Sequence, residues 1–261
     1  MMSRHAVDGA DIAAELSDEG GRAVVQLHGL TSSRARDRVL HLDLGVGLSG
    51  TRLLRYDARG HGESTGRSAA IDYRWSRLAV DLLTLLDLHF PGETVHGVGP
   101  SMGAATLLHA AVADPRRFSG LTLVVPPTAW QTRPAQAEVY LEAADLVAGG
   151  GIAEYLAVGA SAVRPPALAD APETTPQVPE RLLPAVLRGA AASDLPTPEA
   201  LAGVETPTTI LAWADDPAHP LSTAEALHAV LPHSELIVAR TPADLAEWPG
   251  MLAADVARHQ T

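Results

Sequence analysis

The stretch that decides the fold spans residues 95–111 and reads VHGVGPSMGAATLLHAA. It places Gly99-x-Ser101-x-Gly103 between a short apolar run typical of a strand and an alanine-rich run typical of a helix. A strand-to-helix turn this tight needs residues almost free of side chain two positions before and two positions after the serine. The sequence therefore predicts that Ser101 is presented at a sheet edge and a helix N-terminus, where the Met102 amide can stabilise an oxyanion.

Outward from that turn, strand-like and helix-like patterns alternate along most of the chain. The predicted strands cover residues 10–16, 22–27, 51–56, 94–98, 121–125, 208–213 and 235–239. The predicted helices cover part of 36–48, then 73–89, the run after Ser101 to about residue 113, 222–231 and 244–258. This alternation predicts an α/β fold with a mainly parallel sheet that helices flank on both faces.

The alternation stops after the Pro-Pro pair at 126–127 and resumes near residue 206. Between these points, helix-like pieces are separated by proline-rich joints, and no convincing strand pattern occurs. We therefore expect a core formed by residues 1–127 and 206–261, with a helical cap inserted at 128–205. Apolar residues in this segment, such as Leu141, Leu146 and Tyr155, favour a hydrophobic substrate.

Composition excludes several classes of function. The chain has 261 residues, no cysteine and a formal net charge of −12, with no basic run. Disulfides, thiolate metal sites and cysteine nucleophiles are thereby excluded, and nucleic acid is not an expected partner. The histidines lack metal-ligand spacing, so we expect neither a metal nor another cofactor. Without a long apolar stretch or an apolar leader, we expect a cytoplasmic protein that does not bind membranes.

A serine nucleophile also needs a second oxyanion donor, and an early loop is a candidate. His28-Gly29-Leu30 follows the predicted strand 22–27, where hydrolases place their second donor loop. The amide of Leu30 is therefore the expected partner of the Met102 amide. We assign His28 to the same oxyanion and substrate-binding loop, which it is expected to shape without taking part in the chemistry.

The acid that orients a catalytic base is expected in the stretch LAWADDPAHP at residues 211–220. This stretch follows a predicted strand, and the chain order serine then aspartate is the one expected for this architecture. Asp216 is favoured over Asp215 because the Asp-Pro pair fixes a turn and puts the carboxylate at the strand end. The other interpretation is a solvated acidic loop.

Taken together, these motifs make the chain resemble the α/β-hydrolases that carry an inserted cap. The resemblance covers nearly the whole length, from the His-Gly pair at 28–29, through YDARGHGES at 56–64 and the serine turn, to DPAHP at 216–220. The second of these motifs is common in the family's esterases, lactonases, haloperoxidase-like members and carbon–carbon bond hydrolases. The resemblance implies a serine nucleophile served by a histidine base.

The chain departs from the family at that base. The family carries its histidine in the loop after the last strand, but here that loop, residues 240–248, reads RTPADLAEW. His233 precedes the strand and His259 lies near the end of the final helix. The best substitute is His219, three residues beyond Asp216, although it could instead be a loop histidine packing beside a proline. His61 is the second candidate, although glycine-flanked turn histidines in this family are usually structural, and His96 and His109 are expected to be buried packing partners.

Two hypotheses follow from the sequence. The first is a hydrolase of a small hydrophobic ester, lactone or thioester, with Ser101 as nucleophile and Asp216 with His219 activating it. The second is a hydrolase-fold protein that has lost hydrolysis and either binds a small molecule or catalyses a cyclisation, elimination or rearrangement. The expected partner is a small-molecule substrate in both cases, and dimerisation through the cap is left open.

Overall fold

The computed structural model describes residues 1–160 and 164–258. Within them, eight strands form one sheet in the order β1-β2-β4-β3-β5-β6-β7-β8. They are β1 (Met2–Val7), β2 (Ala10–Asp18), β3 (Arg22–Gln26), β4 (Thr51–Tyr56), β5 (Val95–Pro100), β6 (Phe118–Val124), β7 (Thr208–Trp213) and β8 (Ser234–Ala239). The pairs β1–β2 and β2–β4 are antiparallel and the other pairs are parallel. The predicted mainly parallel sheet is confirmed.

The same residues also contain helices. They are α1 (Arg34–Val39), α2 (Trp75–His89), α3 (Met102–Ala113), α4 (Arg133–Gly150), α5 (Ile152–Ala160), α6 (Leu183–Ala191), α7 (Pro198–Leu201), α8 (Leu221–Val230), α9 (Pro242–Ala246) and α10 (Trp248–Arg258). Of these, α2, α3, α8, α9 and α10 contact strands of this sheet. Short 3-10 turns add residues 44–47, 70–73, 130–132 and 166–168. None of these helices is both long enough and apolar enough to cross a lipid bilayer.

Two apolar clusters hold the helices against the sheet. One contains side chains of α2, α3 and α8, such as Leu82, Leu107 and Leu227, and the other contains Trp248 and Leu252 of α10. Every residue of β5 and of β7 is buried. Central parallel strands that are covered on both faces are buried along their whole length, and this explains why both sequences are mostly apolar and contain no charged residue.

The sequence interpretation differs from the structure at both ends of the chain. The first strand, β1, was not predicted, because its side chains alternate between exposed and half-buried and only its last residue is buried. The single helix expected at 244–258 is instead two helices, α9 and α10. Pro242 opens α9 after a capping box at Thr241, and Pro249 lies in the first turn of α10, where its missing N–H costs no helical bond.

The segment between β6 and β7 contains four helices, α4 to α7, and no strand in the residues described. Its largest apolar cluster is contributed by α4, α6 and the residues before α6, together with Tyr73. Arg133, in the first turn of α4, links this segment to α2, since its Nε donates to the Ser193 carbonyl at 2.7 Å and its guanidinium lies 4.2 Å from the Trp75 ring centroid. The boundaries 128 and 205 stay a prediction.

Candidate active site

Ser101 lies at the junction of β5 and α3, in a backbone conformation that residues other than glycine rarely adopt. Its φ is 52° and its ψ is −110°. Strain of this kind persists only where the surrounding structure enforces it. Here the Ser101 amide donates to the Val124 carbonyl at 2.9 Å, and the Ser101 carbonyl accepts from the Ala105 amide at 3.0 Å. The serine is therefore held between a neighbouring strand and the first turn of its own helix.

The two glycines of the turn are required by the close approach of β3. A Cβ on Gly99 would lie 2.9 Å from the Leu27 Cβ and 3.2 Å from the Gly103 Cα. A Cβ on Gly103 would lie 3.0 Å from the Leu27 Cβ and 3.1 Å from the His28 carbonyl oxygen. The spacing of the motif thus reflects the packing of the serine turn against the end of β3.

His219 is the imidazole beside the serine. Its Nε2 lies 2.8 Å from the Ser101 hydroxyl oxygen, and its Nδ1 lies 2.8 Å from Oδ2 of Asp216. Since the ionised carboxylate can only accept, Nδ1 carries a proton and Nε2 of the neutral ring is free to accept the hydroxyl proton. This arrangement has the connectivity of a nucleophile, a base and an orienting acid.

Asp216 is held by three donors. Oδ2 accepts from His219 and from the Trp213 indole N–H at 2.8 Å, and Oδ1 accepts from the Ala218 amide at 2.9 Å. Burial alone would raise the pKa of this carboxyl. The hydrogen bond and charge of His219, with the Ala218 and Trp213 bonds, outweigh burial and bring the pKa below its ordinary value. Asp216 is therefore ionised and fixed in orientation.

The loop that carries both residues connects β7 to α8. It turns at Asp215, whose φ is 60°, and it is tied across the sheet edge because the Thr128 amide donates to the Ala218 carbonyl at 3.1 Å. This hydrogen bond joins the residues after β6 to the loop, one position before His219. The spacing of three residues between Asp216 and His219 does not by itself determine where the imidazole points.

The other candidate histidines lie apart from Ser101. His61 and His96 are buried and bond to the Arg59 carbonyl and the Thr122 hydroxyl, respectively. The ring of His109 bonds to the Asp194 carbonyl. His233 precedes β8 and pairs with Glu205 at 2.9 Å, and His259 lies outside the described residues. Trp248, the last residue of the stretch where the family's histidine was expected, is the first residue of α10 and stacks on Trp213 with ring centroids 6.2 Å apart.

The Leu30 and Met102 amides are placed beside the serine. A Cβ on Gly29 would lie 3.8 Å from the Ser101 Cβ, so the backbone before Leu30 runs against the serine. Met102 is the first residue of α3, and its N–H has no acceptor within the helix. Leu30 and Ser101 line the same cavity. The structure thus brings together the residues from which the sequence predicted an oxyanion site.

His28 supports this loop through its ring. Its Nε2 accepts from the Ala58 amide at 2.9 Å, and its Nδ1 donates to the Gly29 carbonyl at 2.8 Å. Burial lowers the pKa of His28, which keeps the ring neutral as this pair of bonds requires. With both nitrogens engaged by the backbone, His28 shapes the loop and has no ring nitrogen left for a substrate.

The motif at 56–64 has a similar supporting role. Asp57 accepts from the Arg34 amide at 2.9 Å and from the Arg34 guanidinium at 3.1 Å, and it also accepts from the Glu63 amide at 3.0 Å. Burial would raise the pKa of Asp57, but these bonds and the nearby His28 lower it overall. The motif therefore anchors the start of α1, immediately after the Leu30 loop.

A cavity of about 320 Å³ opens beside Ser101 and His219. Its apolar lining comes from residues near the serine and from the α4–α6 segment, namely Leu40, Leu42, Val125, Val139, Ala143, Leu187, Trp213 and the aromatic rings of Tyr140 and Tyr155. Tyr155 was expected here, whereas Leu141 is exposed instead. Sequence reasoning missed four polar residues of this lining, Thr31, Ser32, Arg36 and Asp37, because polar residues near a helix start are normally solvated.

Comparison with known proteins agrees with this architecture. Residues 22–246 match the family model of the alpha/beta hydrolase fold. The chain therefore belongs to the alpha/beta hydrolase fold family. No curated protein matches the chain significantly in sequence.

Several solved structures are similar over almost the full length. A hydrolase from Pseudomonas aeruginosa superposes with a TM-score of 0.78 at 24% identity, covering 98% of this chain and 96% of that one. The enol-lactonase of Burkholderia xenovorans has a TM-score of 0.76 at 17% identity, covering 98% and 100%. An esterase from Exiguobacterium antarcticum has a TM-score of 0.76 at 18% identity with the same coverage. At these identities the likeness shows the fold alone.

Proposed function

We propose that this protein hydrolyses a small hydrophobic carboxylic ester, lactone or thioester, with Ser101, His219 and Asp216 as its catalytic triad. The observation that carries the proposal is the pair of 2.8 Å contacts that His219 makes, one to the Ser101 hydroxyl and one to Asp216. Both lie within the reach that proton transfer to a base requires. The mostly apolar cavity of about 320 Å³ supports a small hydrophobic substrate.

The first half of the reaction forms an acyl-enzyme. Ser101 Oγ attacks the carbonyl carbon while Nε2 of His219 takes the hydroxyl proton, and the carbonyl π electrons move onto oxygen. The amides of Leu30 and Met102 stabilise that oxyanion, aided by the N-terminus of α3. Asp216 stabilises the imidazolium. Collapse of the intermediate breaks the bond to the leaving alkoxide or thiolate, which takes the proton from Nε2.

The second half returns the serine. A water molecule gives a proton to Nε2 and attacks the acyl carbon, and collapse releases the carboxylic acid as Ser101 Oγ regains its proton from His219. The helices α4 to α6 contribute Tyr140, Tyr155 and Leu187 to the cavity wall. We propose that this segment acts as the cap that selects the substrate.

The alternative, a family member without hydrolytic activity, was motivated by the lack of a histidine after the last strand. His219 supplies an imidazole at the serine from a different loop, and this favours hydrolysis over the alternative. In the alternative, the serine hydroxyl would need no base, and Ser101→Ala would leave binding or turnover nearly unchanged.

A serine-directed fluorophosphonate tests the proposal. The folded wild type should be labelled at Ser101, and Ser101→Ala should not be labelled. Hydrolysis of p-nitrophenyl butyrate should fall by about 10³-fold or more in Ser101→Ala. Absence of label on the folded wild type, or equal turnover by Ser101→Ala, would overturn the proposal.

A further inference from the structure

One buried carboxyl group in the wall of this cavity is left partly without a partner. Asp37 lies in α1, is 2% exposed and lines the cavity that contains Ser101 and His219. Its Oδ1 accepts from the Ser32 hydroxyl at 2.5 Å. Its Oδ2 is buried and has no hydrogen-bond partner among the described residues. Half of a buried carboxyl is therefore unsatisfied beside the proposed nucleophile.

Two other buried aspartates near Asp37 each pair with an arginine. Asp43 pairs with Arg55 at 2.9 Å, and Asp57 pairs with Arg34 at 3.1 Å. Asp37 has no such arginine in the described part of the chain, although Arg36 is adjacent in sequence. The Arg36 side chain instead donates to the Thr31 carbonyl at 2.9 Å and to the Thr174 hydroxyl at 2.8 Å.

Burying Asp37 with no partner for Oδ2 in residues 1–160 and 164–258 destabilises the ligand-free protein. Burial raises the pKa of Asp37 to about 7, and the like charges of Asp43 and Asp57 add to that effect. The Ser32 hydrogen bond and the charge of Arg36 oppose it only in part. A buried polar atom without a partner is uncommon in a native protein, and each one needs an explanation. A ligand that donates a hydrogen bond at Oδ2 would remove the cost.

We propose that Asp37 is a specificity determinant that accepts a hydrogen bond from a hydroxyl or ammonium group of the substrate. This inference rests on the proposed hydrolase function. Apart from Thr31, Ser32, Arg36 and the proposed catalytic residues, the rest of the cavity lining is apolar or aromatic, so a substrate that is hydrophobic except for one donor group matches it. A site built to bond such a group rejects analogues that lack it, because the buried acceptor is then left unpaired.

Matched methyl esters test the inference. Unbranched acids of increasing chain length are each prepared in three forms: unsubstituted, with a terminal hydroxyl, and with a terminal ammonium. For at least one length, the wild type should have a kcat/KM about tenfold or more higher for the hydroxyl or ammonium form than for the unsubstituted form. Asp37→Leu should abolish that preference while still hydrolysing the unsubstituted ester.

The isosteric variant Asp37→Asn distinguishes the two donors. Its amide oxygen still accepts from a hydroxyl, but it lacks the charge that favours an ammonium. A preference for the hydroxyl ester should therefore largely survive in Asp37→Asn, whereas a preference for the ammonium ester should be lost. A matched control is Asp145→Asn, which removes an acid from the exposed side of α4 and should leave the preference unchanged.

The outcomes separate this inference from the function on which it rests. If the wild type hydrolyses esters of the panel but Asp37→Leu keeps the same selectivity, the inference is overturned and the hydrolase function stands. If no ester is hydrolysed, butylammonium and butan-1-ol are titrated calorimetrically into the wild type and into Asp37→Asn. Weaker binding of butylammonium by the variant would still support the carboxylate subsite, and equal or undetectable binding would overturn it.

Discussion

Asp216 and His219 hydrogen-bond to each other from one short loop, with Nδ1 and Oδ2 2.8 Å apart and only two residues between them in sequence. The proposed base and its orienting acid thus lie on one loop, which is tied to the end of β6 through the Ala218 carbonyl. The resemblance to the family implies a histidine in the loop after the last strand, whereas the imidazole beside Ser101 here comes from the loop after β7.

Asp216→Asn should disable the relay while leaving the fold intact. An amide in place of the carboxylate no longer fixes the tautomer with a proton on Nδ1, so Nε2 loses its ability to accept the serine proton. We expect kcat for p-nitrophenyl butyrate to fall by about 10³- to 10⁴-fold. The control is Asp215→Asn at the preceding, exposed position, where φ is 60° and asparagine is well tolerated. Equal losses in both variants would contradict the assignment.

Trp213→Phe should lower kcat by about tenfold, with little effect on KM. The change removes one of three donors to Asp216, and a hydrogen bond to a charged group contributes about 1.5 kcal/mol or more. Trp248→Phe is a matched control because its indole N–H is buried without a partner in the described residues, so that substitution removes no bond. Steady-state kinetics that give the two variants the same kcat would show that the indole N–H of Trp213 does not position Asp216.

Gly99→Ala should destabilise the protein by about 1–3 kcal/mol, as overpacking of a tight interface does. The new methyl group would press against the Leu27 Cβ at 2.9 Å and against backbone atoms of Gly103 at 3.2 Å, none of which can swing away. Gly149→Ala near the end of α4 meets no atom within 4 Å and should leave stability unchanged or slightly higher. Urea denaturation gives the free energy of unfolding of both variants. Equal values for Gly99→Ala and Gly149→Ala would show that the turn is not tightly packed.

Asp37 should make stability depend on pH in the acidic range. Its pKa is about 7 in the folded protein and near the ordinary 3.8 when unfolded, so the folded state binds more protons between these values. The contribution of Asp37 to the free energy of unfolding therefore falls as pH rises from about 4 to about 7 and is level above that. Asp37→Asn should lack this decline. Thermal melts across that range test it, with Asp145→Asn expected to follow the wild-type slope; a wild-type slope in Asp37→Asn would contradict the assignment.

Those parts of the fold that depend on local signals were predictable from sequence. The serine turn, the central strands and the acid at the end of β7 each follow from short patterns whose geometry is fixed within a few residues. The edge strand β1 was missed because a strand with one exposed face and no neighbour beyond it needs few apolar residues. The break between α9 and α10 was missed because Pro249 is compatible with either a kink or a new first turn.

The site was less predictable because its geometry depends on contacts between distant segments. The position of His219 relative to Ser101 depends on the hydrogen bond between Thr128 and Ala218, which no spacing within 211–220 reveals. Asp37 gave no sequence signal at all, since it shares its cavity with residues that are distant in sequence, such as Tyr140 and Tyr155. The substrate is likewise not readable from sequence, because the helices between β6 and β7 form much of the cavity wall.

The central claim is that His219 is the base that activates Ser101, and kcat/KM of His219→Ala for p-nitrophenyl butyrate tests it most directly. The matched control is His233→Ala, which removes an exposed histidine paired with Glu205 at the opposite end of the sheet. We predict a loss of about 10³-fold or more for His219→Ala and wild-type activity for His233→Ala. Full activity of a folded His219→Ala protein would contradict the account.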